Sequence, residues 1–377
     1  MQIFPFLKNA SAYILNNLLR TLKLNRIIYK LSKNNIINFD DDMVKEAYEF
    51  MEHYSPDPKT SCLCENRIEP SADIHIIVPA YNVEAYIKEC MDSILLNPTK
   101  KYSFLLSVIN DGSTDKTSEI LKEYEDNQCV EIISQSNKGF SGARNTGLSH
   151  IKGKYIVFVD SDDIMDWRGI EKMMDVALET NADIVKGAYT SMSESGGNHK
   201  LIANKAGEVE TTDLGGQPWA KLFRSELFSD VCFPEHYWYE DSIFSQIVYP
   251  RISVAYGITE NCYYYRNRSS GITKQGIKKP KSIDSYWITE RLFEERTKYG
   301  LKITDQYYEY ILRMVKLTFY RIRLQPTEVK KNTFILFCNF IDKYFVDCHA
   351  HSAQGKEIEK IIKSRNLGKC ISYTRWM

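Results

Sequence analysis

Between residues 73 and 163, short apolar runs alternate with stretches of helical period, and each run ends in polar residues. No other feature constrains the fold as tightly. Residues 74–78 form an apolar run that stops at Pro79, and 84–96 have helical spacing. A second run at 104–109 leads into the turn Asn110-Asp111-Gly112-Ser113. Residues 114–124 read as helix, 130–134 as strand, 141–150 as helix and 155–159 as a buried strand. Strands alternating with helices at this spacing predict an α/β sheet of mostly parallel order. Ligands of such sheets sit beyond the carboxyl ends of the strands. The polar motifs fall there: Ala80-Tyr81-Asn82 after the first strand, Asn110-Asp111-Gly112 after the second, Asp160-Ser161-Asp162-Asp163 after the fourth. Three strand ends feeding one crevice carry more weight than any single motif.

The flanking segments differ in texture. Residues 1–39 hold Lys8, Arg20, Lys23, Arg26, Lys30 and Lys33 with no acid, interleaved with apolar residues. One or two amphipathic helices with a basic face fit this spacing. Such a face suits an anionic membrane surface, and equally a solvated side of a helix packed on its neighbour. Residues 40–56 predict a further helix whose acidic start suits the helix dipole. Residues 55–72, with three prolines, read as a linker, and 193–197 as a loose surface loop. Beyond Ser285 the chain turns helical and aromatic, including 334–346 and 354–364. The expected domains are a helical, basic extension with its linker (1–72), an α/β domain (73–284) and a helical region (285–377).

Composition excludes several classes. Lys+Arg and Asp+Glu both number 49, so the chain lacks the basic excess of a nucleic-acid binder. No apolar run reaches the ~20 residues of a membrane-spanning helix. No secretory signal is evident, because Lys8, Asn9 and Asn16 break the N-terminal apolar stretches. Among nine cysteines only Cys62 and Cys64 are close, and Cys348 lies near His349 and His351 without a second cysteine pair. Reduced thiols in a cytosolic protein fit these spacings better than a metal cluster.

Asp160, Asp162 and Asp163 crowd the end of an apolar strand. Carboxylates this close repel, and a bound divalent cation compensates them. Hard oxygen ligands suit Mg²⁺ or Mn²⁺, and Mg²⁺ usually keeps one or two carboxylates plus substrate phosphates. The alternative is an acidic loop capping the next helix. Asp111 can accept from the N–H of a pyrimidine base, or serve as an Asx-turn or helix cap. Arg144, in the glycine-containing stretch 137–145, can meet a phosphate or pair with Asp160.

The stretch from Val78 to Asp163 resembles the family 2 glycosyltransferases, inverting enzymes of the GT-A fold. The residues that carry it are Val78-Pro79-Ala80-Tyr81-Asn82, Asn110-Asp111-Gly112-Ser113-Thr114-Asp115, Gly142-Ala143-Arg144-Asn145-Thr146-Gly147 and Asp160-Ser161-Asp162-Asp163. The resemblance extends through Trp219-Ala220-Lys221-Leu222-Phe223 and Tyr239-Glu240-Asp241-Ser242, then more weakly to Thr273. It implies that Pro79, Tyr81 and Asp111 contact uridine, with Asn82 and Ser161 in the donor set. Arg144 is similar to the residue securing the nucleotide end. Asp160 resembles the acid that meets the ribose or a metal-bound water, Asp162 the metal ligand, and Asp241 the catalytic base with Glu240 beside it. The segment Tyr264-Tyr265-Arg266-Asn267-Arg268 resembles the one that folds over the diphosphate. This chain departs from the pattern in Gly271-Ile272-Thr273, where the family often has Ser-Ile-Thr, and in Ala220, where Asn is frequent.

The chemistry implied is consistent. Loss of a nucleoside diphosphate leaves negative charge, which a cation on Asp162 with Arg266 or Arg268 can stabilise. The acceptor hydroxyl must lose its proton, and Asp241 can take it. Trp219, Trp238 and Tyr239 can stack on sugar rings, with core packing an equal reading for Trp219. The expectation is an inverting, Mn²⁺- or Mg²⁺-dependent enzyme. It would move sugar from a UDP-linked donor to a glycan or lipid-linked acceptor in bacterial surface-polysaccharide assembly. The expected location is cytoplasmic, with a peripheral place on the inner membrane face through residues 1–39. The rivals are a catalytically silent nucleotide-sugar-binding scaffold and a nucleotidyltransferase. The second would need a Gly-rich phosphate loop that Pro79-Ala80-Tyr81-Asn82 does not supply.

Overall fold

The computed structural model describes residues 35–197, 199–269 and 276–374. Within these, the chain forms two compact units: 58–269 with 290–301, and 35–57 with 276–289 and 302–374. The basic segment 1–39 therefore lies almost wholly outside the described residues, as does Gly271-Ile272-Thr273.

Helix α1 (Asp41–Tyr54) is capped by Asp40, whose side chain accepts from Met43 N at 3.0 Å. Strand β1 (Arg67–Ala80) then begins inside the stretch expected to be a linker. Arg67 and Ile68 pair with His150 and Ile151, and the register shifts before Ala72. Pro70 lies in that shift and lacks the N–H that a regular ladder needs, so the strand continues through a bulge that reads as a break. Next come α2 (Ile87–Leu95), β2 (Phe104–Asn110), α3 (Thr117–Leu121), β3 (Val130–Ser134), α4 (Gly139–Leu148) and β4 (His150–Phe158). His150, expected at a helix end, opens β4 because pairing with β1 starts there. β1, β2, β3 and β4 are all parallel, so their polar ends share one edge of the sheet.

The second half is mixed. It comprises β5 (Ile164–Met165), α5 (Trp167–Thr180), β6 (Ile184–Ser193), β7 (Lys200–Ile202), β8 (Gly207–Glu208), β9 (Lys221–Arg224) and β10 (Ala255–Asn267); the order is β3-β2-β1-β4-β9-β6-β10-β5, with β7 paired to β6 and β8 to β10 beside it. β9 is antiparallel to both β4 and β6 and joins the two halves. β10 runs parallel to β6 and pairs antiparallel with β5, Tyr263 facing Met165. That pairing returns the 263–268 segment to the acidic motif at 160–163. The stretch 193–197, expected as a loose loop, is a closed turn: Ser193 N donates to Gly197 O at 2.8 Å, and Gly197 N to Ser193 Oγ at 3.0 Å.

Under the sheet's polar edge, Phe158 makes edge contacts with Phe223, Phe228 and Phe233, each within 6 Å between ring centres. Phe244 stacks on Phe223 at 5.3 Å. Such pairs contribute roughly 0.5–1.5 kcal/mol each beyond burial. They fix the 228–244 segment, which otherwise holds little regular structure, against β4.

Helix α6 (Asp284–Lys298) is followed by α7 (Asp305–Arg321), α8 (Thr327–Tyr344), α9 (Ala353–Lys363) and α10 (Leu367–Thr374). The helices expected at 334–346 and 354–364 are α8 and α9. In the helical unit the core is aromatic, with Tyr286, Trp287, Tyr308, Phe334 and Phe337 buried. Thr304 and Ser352 cap α7 and α9 through their side-chain oxygens. Among the described residues no helix is long and apolar enough to cross a membrane.

Candidate functional site

At the end of β1, Tyr81 is 48% exposed while Pro79 is half-buried in register with Ile109. Asn82 adopts a φ of 49°, a left-handed conformation that Asn tolerates. Its Oδ1 accepts from Thr114 N at 2.8 Å and its N–H donates to Ser113 Oγ at 3.1 Å, tying the first two motifs together. Asp111 is buried. Its Oδ1 accepts from Gln135 Nε2 at 2.7 Å and from Lys138 N at 2.8 Å, just ahead of α4. A carboxylate at a helix start is favoured by the exposed N–H groups there. Gly112 has a φ of 73°, and a Cβ there would lie 2.9 Å from Asn137 N, so only glycine fits this close turn.

Arg144, on α4, is buried and bridges two motifs. Nη1 donates to Glu240 Oε1 at 2.7 Å and Nη2 to Asp160 Oδ1 at 2.8 Å. Phe233 lies 5.4 Å from the guanidinium, a cation–π contact. Burial and the neighbouring Asp241 push the Glu240 carboxyl up to about 7, against the pull of Arg144.

The acidic loop is held from behind. Tyr263 OH accepts from Asp160 N at 3.0 Å and donates to Asp163 Oδ2 at 2.8 Å. Asp163 Oδ1 accepts from Arg266 N at 2.7 Å. Burial and the two neighbouring carboxylates raise Asp163 well above the usual carboxylate range. Asp163 is thus the loop's anchor, and Ser161 is buried beside it.

Arg266, expected to face the diphosphate, spends its guanidinium on protein. It donates to Asp162 O at 2.8 Å, Glu194 O at 3.0 Å and Glu89 Oε2 at 2.5 Å, and is buried. Arg268 is the more accessible cation. Its Nε lies 3.1 Å from Asp162 Oδ2, both side chains 24% exposed. The Tyr86 ring packs against both arginines.

Burial and the Asp160 charge raise Asp162, while Arg268 lowers it. Asp162 is paired with Arg268 and remains partly exposed, and with Asp160 two residues away it offers hard oxygen ligands of the kind a divalent cation takes. Among the described residues no set of three His, Cys, Asp or Glu side chains is gathered for a metal, so the protein would supply the pair Asp160 and Asp162.

Asp241 is half-buried and points elsewhere than Glu240: its Oδ2 faces Gly216, with buried Lys221 and Tyr249 in its electrostatic neighbourhood. Trp219 stacks on Tyr263 at 4.9 Å and Tyr265 at 5.0 Å and is buried, so core packing is its role here. Trp238 and Tyr239 remain half-buried. Ala220 has a φ of 56°, a left-handed conformation that Asn tolerates better than Ala. Sequence reasoning missed Tyr263, Glu89, Glu194 and Gln135. They lie far along the chain from the groups they hold, and no local motif marks them.

The profile described as Glycosyl transferase family 2 matches residues 75–226. Glycosyltransferase GlyG of Streptococcus pneumoniae is 32% identical over 222 residues, 53% of this chain and 73% of that protein. GlyA of the same organism is 33% identical over 223 residues, but the match spans only 31% of its length. The poly(ribitol-phosphate) β-N-acetylglucosaminyltransferase TarS of Staphylococcus aureus is 28% identical over 207 residues, 52% of this chain and 36% of that one. The crystal structure of TarS 1–349 in complex with UDP-GlcNAc superposes with a TM-score of 0.58 at 18% identity, over 80% of this chain and 90% of that one. This likeness concerns the fold, which is the α/β GT-A type expected from the sequence.

Proposed function

The chain belongs to the family 2 glycosyltransferases, and from that premise we propose that it moves a sugar from a UDP-linked donor to a hydroxyl of a surface glycan or lipid-linked acceptor, with inversion. The single observation that carries the reading is the Arg144 bridge. One buried guanidinium ties Asp160, two residues before Asp162, to Glu240, the neighbour of Asp241. Acids far apart in the sequence are thereby held at one sheet edge.

In this reading Tyr81, Asn82 and Asp111, with Pro79, form the uridine end. Asp160 and Asp162 would hold Mn²⁺ or Mg²⁺, which when bound supplies positive charge for the departing diphosphate. Arg268 is the second positive charge. It pairs with Asp162 and stays partly exposed, so a donor phosphate could take the place of that carboxylate as its partner. Arg266 acts by positioning, since it clamps the Asp162 carbonyl. Asp241 accepts the proton of the attacking hydroxyl, a contribution of ~10²–10⁴-fold for a placed base. The UDP-GlcNAc held by TarS supports a UDP-linked hexose or N-acetylhexosamine as donor. The poly(ribitol-phosphate) named for TarS supports a surface polysaccharide as acceptor, and the lipid-linked glycan and the inner membrane face belong to the proposal itself.

The test is UDP release across a UDP-sugar panel, with and without Mn²⁺ or Mg²⁺. One preferred donor with metal-dependent turnover supports the reading. Donor binding without any UDP release favours the silent scaffold instead.

A further inference from the structure

Glu240 and Asp241 are adjacent in sequence yet serve different surroundings. Glu240 is bound into the Arg144–Asp160 side, where the donor end is proposed. Asp241 faces the turn Gly215-Gly216-Gln217. A Cβ built on Gly216 would lie 3.5 Å from Asp241 Oδ2 and 3.9 Å from its Cγ. Gly216 is half-buried and Gly215 exposed, and among the described residues the Asp241 carboxylate is what a side chain at Gly216 would first meet.

The turn is fastened from beneath at both flanks. Tyr249, buried, donates its hydroxyl to Gly215 O at 2.6 Å. Lys221, fully buried, donates Nζ to Gln217 O at 2.5 Å. Burial and the nearby Lys186 push the Lys221 amine well below its ordinary range, and Asp241 opposes that. A fully buried lysine is costly unless paired. Placing two buried polar side chains under the carbonyls either side of Gly216 fixes the backbone there, and a fixed backbone can act as a wall.

Resting on Asp241 as the base, we infer that Gly216 is a specificity-determining residue, whose missing side chain leaves the opening through which the acceptor hydroxyl reaches Asp241. In the step this serves, the acceptor oxygen forms a bond to the anomeric carbon. The bond from that carbon to the diphosphate oxygen breaks, its electron pair leaves with UDP, and the hydroxyl proton passes to Asp241. The acceptor class is a sugar or polyol hydroxyl carried on a chain narrow enough to pass a glycine. Gly216 has no left-handed φ, so a side chain is permitted by the backbone and only the space over Asp241 is lost.

The experiment uses the full chain with the preferred UDP-sugar, and measures UDP release with ribitol, poly(ribitol phosphate) or p-nitrophenyl glycosides as acceptor probes. Gly216→Ala should raise acceptor KM severalfold, and Gly216→Leu should cut kcat/KM for the acceptor by roughly 100-fold, as expected when a reacting group is displaced by about 1 Å. The donor Kd, read by calorimetry, should stay within about twofold because the donor groups are untouched. The penalty should grow with acceptor bulk, a trend that general loss of structure does not produce. Equal effects on all acceptors, or an unchanged acceptor KM in Gly216→Leu, overturn the inference. An Asp241→Asn variant with normal transfer, or a wild type that no hydroxyl acceptor stimulates, instead overturns the base reading beneath it. A Gly216→Leu protein that fails to fold passes the decision to Gly216→Ala, whose single methyl makes only ordinary contact.

Discussion

The two units spend their interiors differently. In the sheet unit Asp111, Arg144, Asp163, Lys221, Glu240 and Arg266 are buried at or near the polar edge, and Glu295 and Arg296 are buried on the stretch of α6 that belongs to this unit. In the helical unit, among the described residues, the buried acidic or basic side chain is Asp284, and aromatic rings do the packing. Charged residues of α7 such as Asp305 and Glu309 stay nearer solvent there: His351 Nε2 pairs with Asp305 at 2.8 Å, and Ser352 Oγ donates to Glu309 at 2.7 Å. Buried ion pairs are weak contributors to stability, because desolvation offsets most of their attraction. Most of the sheet unit's buried charge thus lies at the edge where the chemistry is proposed, while the interior of the helical unit is filled mainly by aromatic rings.

The largest way to break this contrast is at the acidic loop. Asp162→Asn should lower turnover by roughly 10²–10³-fold and remove metal-dependent UDP binding, with little change in stability. Turnover near wild type would reduce the loop to a helix cap. Arg144→Met should instead strike stability. It leaves Glu240 and Asp160 without their shared cation and should cost roughly 3–5 kcal/mol in urea unfolding. A loss below 1 kcal/mol would make the bridge incidental.

The pH dependence sharpens the comparison further. Glu240 rises from 4.5 in an open chain to about 7 in the fold. The folded state therefore holds more protons in that window, and this contribution is full below 4.5 and lost as pH climbs through about 7. Glu240→Gln should flatten that part of the stability–pH curve, and an unchanged slope would remove Glu240 as its source. The smallest effect is expected at Ala220. Ala220→Gly relieves a left-handed alanine and should raise stability by under about 1 kcal/mol, with acceptor KM unchanged. A shift in acceptor KM would return the position to substrate recognition.

Much of the parallel half was legible. The run at 130–134 is β3 residue for residue, and the polar ends of β1, β2 and β4 do share an edge, because apolar runs and parallel crossovers are local patterns. β9 was not legible as an antiparallel insert, since its partners on β4 and β6 lie far along the chain. Pro70 hid the start of β1, because a bulge and a linker look alike in sequence. At the site, the acids announced themselves through crowding, whereas their supports did not. Tyr263 stands 100 residues from the Asp163 it fixes, and a tyrosine in a strand carries no sign of such a bond. Arg266 looked like a phosphate ligand because charge is visible in sequence and occupancy is not.

The most direct test of the whole account is a side-by-side measurement on Asp241→Asn of sugar transfer and of donor affinity with the preferred UDP-sugar. The account predicts transfer reduced by roughly 10²–10⁴-fold with donor Kd essentially unchanged. Transfer at the wild-type rate, or a donor Kd that collapses together with it, would contradict the assignment of Asp241 as the base beside an independent donor site.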